Sequence, residues 1–285
     1  MATASNQPQK MLHVDSPNEP FPDPSQLTQA TKIHRQGNFE IASRKLPISK
    51  SGPIDAMSAR IGIPVPEMIF GDNLVSVRHV PSGWTISFTA EAALDRVEKT
   101  DKGMLQVAYA GAWSSSRENT SAGIKEVVRP FDWSYSTDYR GTEEPPRLAP
   151  GSGKQIPIEL LKRRDPILFF DEVVLYESEL DDNGVSIFSV KVRVMEHRML
   201  LLARLYMRLD NVVVRVRDTR LYVDFDTEEV IREYTAKEDS FATVKQGLML
   251  QGLVPDSITT AFRDANQIAE HVRVVDHQVD YASFS

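Results

Sequence analysis

Several short stretches of this chain carry residue types that could do chemistry, and spacing is the test for each. Ala149-Pro150-Gly151-Ser152-Gly153-Lys154-Gln155 has the vocabulary of a phosphate loop. Such a loop needs Gly, four residues, then Gly-Lys-Ser/Thr, because its backbone N–H groups cradle phosphates while the hydroxyl holds magnesium. Here Leu148 falls at the first glycine position and Gln155 replaces the hydroxyl. Glu179, Asp181 and Asn183 ahead of Gly184 imitate half of a calcium loop, but Val190 stands where a bidentate Glu must close the coordination sphere. The six histidines (13, 34, 79, 197, 271 and 277) show no His-x-His or His-Glu-x-x-His spacing. Glu172, Glu177 and Glu179 read as a charged strand edge. No cysteine is present, which removes thiolate nucleophiles, disulfides and cysteine metal sites together. No metal or cofactor is expected. A metal- or carboxylate-dependent hydrolase using His79 or His197 stays open as an alternative, since a triad assembled from distant strands is recognised by geometry and not by sequence position.

Two other patterns point to binding. In Phe131-Asp-Trp-Ser-Tyr-Ser-Thr-Asp-Tyr-Arg-Gly141, aromatics at 131, 133 and 135 alternate as on a strand with a core-facing side. Asp138, Tyr139 and Arg140 then form a polar knot at a loop end, suited to gripping a partner or fixing a turn. The second pattern is a hairpin. If Asp210-Asn211 is its two-residue turn, Leu209 faces Val212, Tyr206 faces Arg215 and Arg204 faces Arg217, with Arg208 alongside. Lys191 and Arg193 alternate against Val190, Val192 and Val194 and would extend this basic face. Forked guanidinium contacts suit an acidic segment or a phosphopeptide; a solvated face balanced by internal carboxylates explains the same residues.

The elements that would hold these residues are mostly strands. Charged residues make up 26% and apolar residues 41% of the 285, a globular composition. A net charge of −7 argues against a nucleic-acid partner. No apolar run approaches the ~20 residues of a membrane span, and no signal core is visible; the chain reads as soluble, cytoplasmic or nuclear. Residues 1–32 read as a disordered Pro-rich tail, and 33–285 as a single domain with mobile loops near 114–123 and 141–154. Hairpins follow one another from residue 67 to 89 and from 167 to 235. Short helices are expected at 51–61, 89–99 and 157–164, with a final helix over 257–272. The fold class is α+β, mainly antiparallel β, sandwich-like, with few helices.

Pro66-Glu-Met-Ile-Phe-Gly-Asp-Asn73, Arg129-Pro-Phe-Asp-Trp-Ser-Tyr-Ser-Thr-Asp-Tyr-Arg-Gly-Thr142, Gly184-Val-Ser-Ile-Phe-Ser-Val-Lys-Val-Arg-Val-Met195 and Arg215-Val-Arg-Asp-Thr-Arg-Leu-Tyr-Val-Asp-Phe225 with Arg232-Glu-Tyr-Thr235 occur in this order. Together they resemble the TIP-forty-one-like family of TOR signalling pathway regulator-like proteins, across residues 37–235. The resemblance implies a mainly β, α+β fold and a non-enzymatic regulator within TOR nutrient signalling. It implies binding to catalytic subunits of type 2A protein phosphatases, in concert or competition with the alpha-four-like phosphatase-associated protein. It carries over Asp218, Val216 and Ile156 as partner-binding positions. Glu91-Ala92 departs from the Thr-Asp of the family, so that aspartate's contact is missing or falls to Glu91 or Asp95. Arg204, Arg215 and Arg217 join the list as contacts for an acidic phosphatase tail.

Overall fold

The computed structural model describes residues 22–99, 131–151 and 153–285, together with the backbone of two short strands at 106–108 and 126–128. Residues 1–21 of the expected tail over 1–32, and the loop over 114–123, lie outside the described residues. The rest of that tail is structured, as a helix and the start of a strand. Helix α1 (Pro24–Ala30) is capped by Asp23, whose carboxylate accepts the Ser25 and Gln26 N–H groups while the Gln26 side chain returns to the Asp23 N–H. It leads into β1 (Thr31–Gln36), which hairpins onto β2 (Phe39–Arg44).

Helix α2 (Ser51–Ile61) follows, with Lys50 at its N-cap. It stops at Gly62, whose φ of 75° is the left-handed conformation favoured by glycine. Strands β3 (Met68–Ile69), β4 (Leu74–His79) and β5 (Thr85–Thr89) lead to α3 (Ala90–Asp95), capped by Thr89. The short strands at 106–108 and 126–128 are β6 and β7, paired with each other. The stretch 141–154 contributes β8 (Thr142–Glu144) and β9 (Ala149–Pro150). Helix α4 (Ile158–Leu161) precedes five long strands: β10 (Phe169–Ser178), β11 (Gly184–Val194), β12 (Arg198–Leu209), β13 (Val213–Asp224) and β14 (Glu229–Ser240). Helices α5 (Phe241–Leu250), α6 (Pro255–Ala261) and α7 (Ala265–Ala269) precede β15 (Val274–Ser283). Among the described residues no helix is long and apolar enough to cross a membrane.

One sheet has five strands in the order β1-β2-β4-β5-β8; the other has eight, β3-β10-β11-β12-β13-β14-β15-β9. All their pairings are antiparallel. The fold is therefore α+β and mainly antiparallel β, as the residue patterns and the family resemblance both indicate. The main core lies between the sheets, where Val190, Val192 and Val194 of β11 meet Phe39, Val75, Trp84 and Phe88. The opposite, outer face of the large sheet carries two smaller apolar clusters: one under α5–α7, and one around Ile156, Tyr222 and Ile231.

Three expectations are corrected. Residues 131–141 are not a strand. Tyr135 has φ 54° and its N–H bonds the Asp132 carbonyl, so a turn bends the backbone while all three aromatics stay buried. The end of this stretch needs glycine: at Gly141 (φ 94°) a Cβ would meet Ile86 and Phe88 at 2.8–2.9 Å. Second, the β12–β13 turn has three residues, with Asn211 left-handed and Leu209 paired with Val213. A one-residue shift moves each side chain to the other face. Arg204 therefore pairs with Asp218, and Arg215 and Arg217 leave its face to lie opposite Met207 and Leu205. Third, the last helix is broken at 262–264 into α6 and α7, since Asp264 leaves helical geometry (φ −115°, ψ 105°) to cap the second piece.

Candidate partner-binding cleft

Alternation on β11 and β12 sends Val190, Val192, Leu201 and Leu205 inward and Ile187, Ser189, Lys191, Arg193, Leu200, Leu202, Arg204 and Tyr206 outward. The outward set floors a cleft of about 440 Å³. Its wall is the end of the α6–α7 break and the first residues of α7, Arg263 to Asn266. That wall is fixed from the floor. The Tyr206 hydroxyl donates to the Phe262 carbonyl at 2.7 Å, and Arg208 donates to the same oxygen at 2.9 Å. Burial, only partly offset by Arg208, pushes the Tyr206 phenol up to about 12, so it stays a donor at neutral pH.

Arg204 of the floor makes a forked ion pair with Asp218 on the neighbouring strand β13. Arg204 Nε and Nη2 donate to the two Asp218 oxygens at 2.6 and 2.7 Å, and Arg204 Nη1 donates to Asn266 on the wall at 2.7 Å. Burial disfavours the Arg204 charge, but Asp218 outweighs it and holds the guanidinium above its ordinary value. Arg220 adds a longer contact to Asp218 at 3.7 Å and bonds Glu233. Lys191 is matched by Glu172 at 2.9 Å. Arg193 and Arg263 are different. Both are exposed, and among the described contacts neither has a carboxylate partner; Arg193 only approaches the Phe170 ring at 5.9 Å. The cleft thus offers apolar leucines between two cations with charge to spare.

The sequence-derived candidates separate across the molecule. Arg204 lines the cleft and pairs with Asp218, but Asp218 itself does not line it and is only 4% exposed and engaged. Val216 is buried beneath α5–α7. Ile156, also 4% exposed, fills a socket of Tyr222 and Ile231. Arg215 lies on the inner side, where it bonds Glu238 at 2.6 Å, Asp132 at 3.2 Å and Ser136 at 3.0 Å; Arg217 shares Glu238 at 3.1 Å. The polar part of the 131–141 stretch therefore holds Arg215 in place. Asp138 is exposed, within 3.9 Å of Arg96. Tyr139 is buried with its hydroxyl on the Ser87 carbonyl at 2.8 Å. Arg140 stacks on Tyr234 at 3.9 Å and contacts Gln278 and Asp276. Glu91 is occupied by a fork from Arg60 at 2.6 and 2.8 Å.

For the hydrolase alternative, His79 has Ser82 Oγ 2.8 Å from Nδ1 and Glu228 3.4 Å from Nε2. The ring is buried against Phe39 and Phe284, and the serine oxygen accepts the Trp84 N–H of its own turn. His197 is exposed beside Asp226 at 3.0 Å. Among the described residues no group of three or more His, Asp or Glu is arranged to hold a metal. Arg263, Asn266, Leu200 and Leu202 were not singled out from sequence. Arg263 falls inside what reads as one continuous helix, which hid the loop that presents it.

The architecture and cleft define a class: an α+β protein whose large antiparallel sheet presents a walled surface groove. Residues 68–245 match the TIP41-like family. The chain is 35% identical, over a 297-residue alignment covering 98% of it and 82% of the relative, to the type 2A phosphatase activator TIP41 of Saccharomyces cerevisiae. It is 38% identical over 242 residues to the TIP41-like protein of Homo sapiens, covering 84% of each. It is 32% identical over 238 residues to the type 2A phosphatase activator tip41 of Schizosaccharomyces pombe, covering 83% of this chain and 92% of that protein. The chain belongs to the TIP41-like family.

Proposed function

We propose that this protein is a non-catalytic regulator that binds the catalytic subunit of type 2A Ser/Thr protein phosphatases and modulates their activity or holoenzyme assembly within TOR signalling. The names of the yeast relatives support the partner. The observation that carries the site is the cleft: Leu200 and Leu202 beside Arg193 and Arg263, which have no carboxylate partner among the described contacts. An extended segment with apolar side chains and a carboxylate or phosphate fits this chemistry, since forked guanidinium contacts favour such anions. Asp218 holds Arg204 of the floor in place. The alpha-four-like protein is a further proposed partner, and a cytoplasmic or nuclear setting follows from the same role.

The test is to mix the full chain with a purified type 2A catalytic subunit and record binding and phosphatase turnover. One-to-one association at micromolar or lower concentration, with altered turnover and an affinity that falls as salt rises, is expected. A folded sample that neither binds nor changes turnover would remove the proposal. Turnover of a phosphoester by this chain alone would move it to the hydrolase class.

A further inference from the structure

Residues 153–168 cross the outer face of the large sheet beside the cleft, held at few points. Lys154 bonds Glu229 at 2.9 Å and lies over the Tyr281 ring at 4.1 Å. Ile156 enters the Tyr222–Ile231 socket, and Leu161 packs into the same cluster, where it joins Leu200. Asp165 pairs with Arg198, and the Leu168 N–H bonds the Val194 carbonyl at 2.8 Å. Between these points α4 has four residues and none of them is buried.

One of these anchors reaches the cleft floor and a second lies beside it on β12. Leu200 belongs both to the socket cluster and to the floor. Arg198 lies two residues earlier on the same face of β12; it is buried, its Nε has no hydrogen-bond partner, and among the described residues Asp165 is the carboxylate paired with it. A buried guanidinium that loses its partner is an uncompensated charge, and a shift towards water relieves it. Here that movement would start two residues from the cleft floor and release the segment that packs on Leu200.

Resting on the phosphatase reading above, we infer that residues 153–168 are a strap that sets the Leu200 end of the cleft, and that Asp165 and Ile156 are positioning residues that govern partner binding without touching the partner. Ile156 is buried in its socket, so its influence passes through the strap.

The experiment compares the full chain with Asp165→Asn, Asp165→Asn/Arg198→Met, Ile156→Val and Ile156→Ala. The readouts are affinity for the type 2A catalytic subunit, melting temperature, and hydrogen exchange of the free proteins. Asp165→Asn is expected to weaken binding about tenfold, equivalent to ~1.4 kcal/mol, and to speed exchange across 153–168. The double variant removes the stranded charge, so its melting temperature should recover while its affinity stays low. Ile156→Val should bind like the unaltered chain, and Ile156→Ala like Asp165→Asn. Wild-type affinity for Asp165→Asn, or recovery of affinity together with stability in the double variant, would overturn the positioning role. Unchanged exchange across 153–168 would overturn the strap itself, with or without a phosphatase. Failure of the unaltered chain to bind would overturn the proposed function and the strap's part in it, while the exchange arm would still report on the strap as a structural unit.

Discussion

The two faces of the large sheet use similar residues to opposite ends. On the inner face, Phe188 stacks on Tyr176 with centroids 5.7 Å apart, and apolar side chains run from β10 to β14. Its buried charges are matched internally: Arg215 by Asp132, Ser136 and Glu238, and Asp171 by Lys32 and Lys45. The outer face is divided: apolar islands at either end are covered by helices and by the strap, and the strip between them is open and charged. Arginines occur on both sides, so residue type does not mark the binding side. What differs is whether the charge is already matched. Buried charges must be paired; an exposed cation with no internal partner is available to another molecule.

That contrast can be broken in graded ways. The largest effect is expected from Phe188→Ala, which should remove about 3–5 kcal/mol in urea unfolding by opening a cavity in the main core. Binding should change only through the unfolded fraction. Next is Asp218→Asn, which leaves Arg204 buried with half its fork. It should cost about 3 kcal/mol and lower the melting temperature, so any loss of binding must be judged on folded protein.

Asp171 is expected to give an intermediate, pH-dependent effect. Burial raises its pKa, but Lys45 at 2.5 Å, the Ser43 hydroxyl, the Glu172 N–H and Lys32 outweigh burial and hold it at about 2, below its ordinary 3.8. A folded-state value depressed in this way contributes stability that is full above the unfolded pKa and lost as pH falls through the folded one. Asp171→Asn should therefore cost about 1–2 kcal/mol at pH 7, allowing for screening of the exposed lysines. The gap between variant and parent should close between pH 4 and pH 2, as read by denaturant titration at several pH values. The smallest effect belongs to the exposed cross-strand pair Glu172–Lys191. Lys191→Ala should change stability by less than about 1 kcal/mol, and a larger loss would show that this part of the outer face is load-carrying after all.

Much of this arrangement is legible in the amino-acid order. The alternation of Val190, Val192 and Val194 against Lys191 and Arg193 gives both faces of β11, and the polar turns between β10 and β14 give the hairpins. The burial of Phe131, Trp133 and Tyr135 also follows from their pattern, although their backbone is bent. The losses have local causes. Asp210-Asn211 is a strong two-residue turn signal, and the structure adds Val212 to the loop, which was enough to put Arg215 and Arg217 on the wrong side. Strand β15 is largely exposed, with its polar residues on both faces, so it shows little period-two pattern. Arg263 could not be placed because Ser257–Val272 carries enough apolar residues at helical spacing to hide its break. The cleft is therefore only half visible from sequence: β11 and β12 supply a readable floor, and the wall depends on a loop without a signature.

The most direct test of the central claim, that the open outer strip and not the inner arginine network meets the phosphatase, is the affinity of the Arg193→Ala/Arg263→Ala double variant for a type 2A catalytic subunit at two salt concentrations. The account predicts an unchanged melting temperature, binding weaker by about tenfold or more at low salt, and a shallower salt dependence. Parental affinity with a parental salt dependence would contradict it and show that the cleft is not the contact surface.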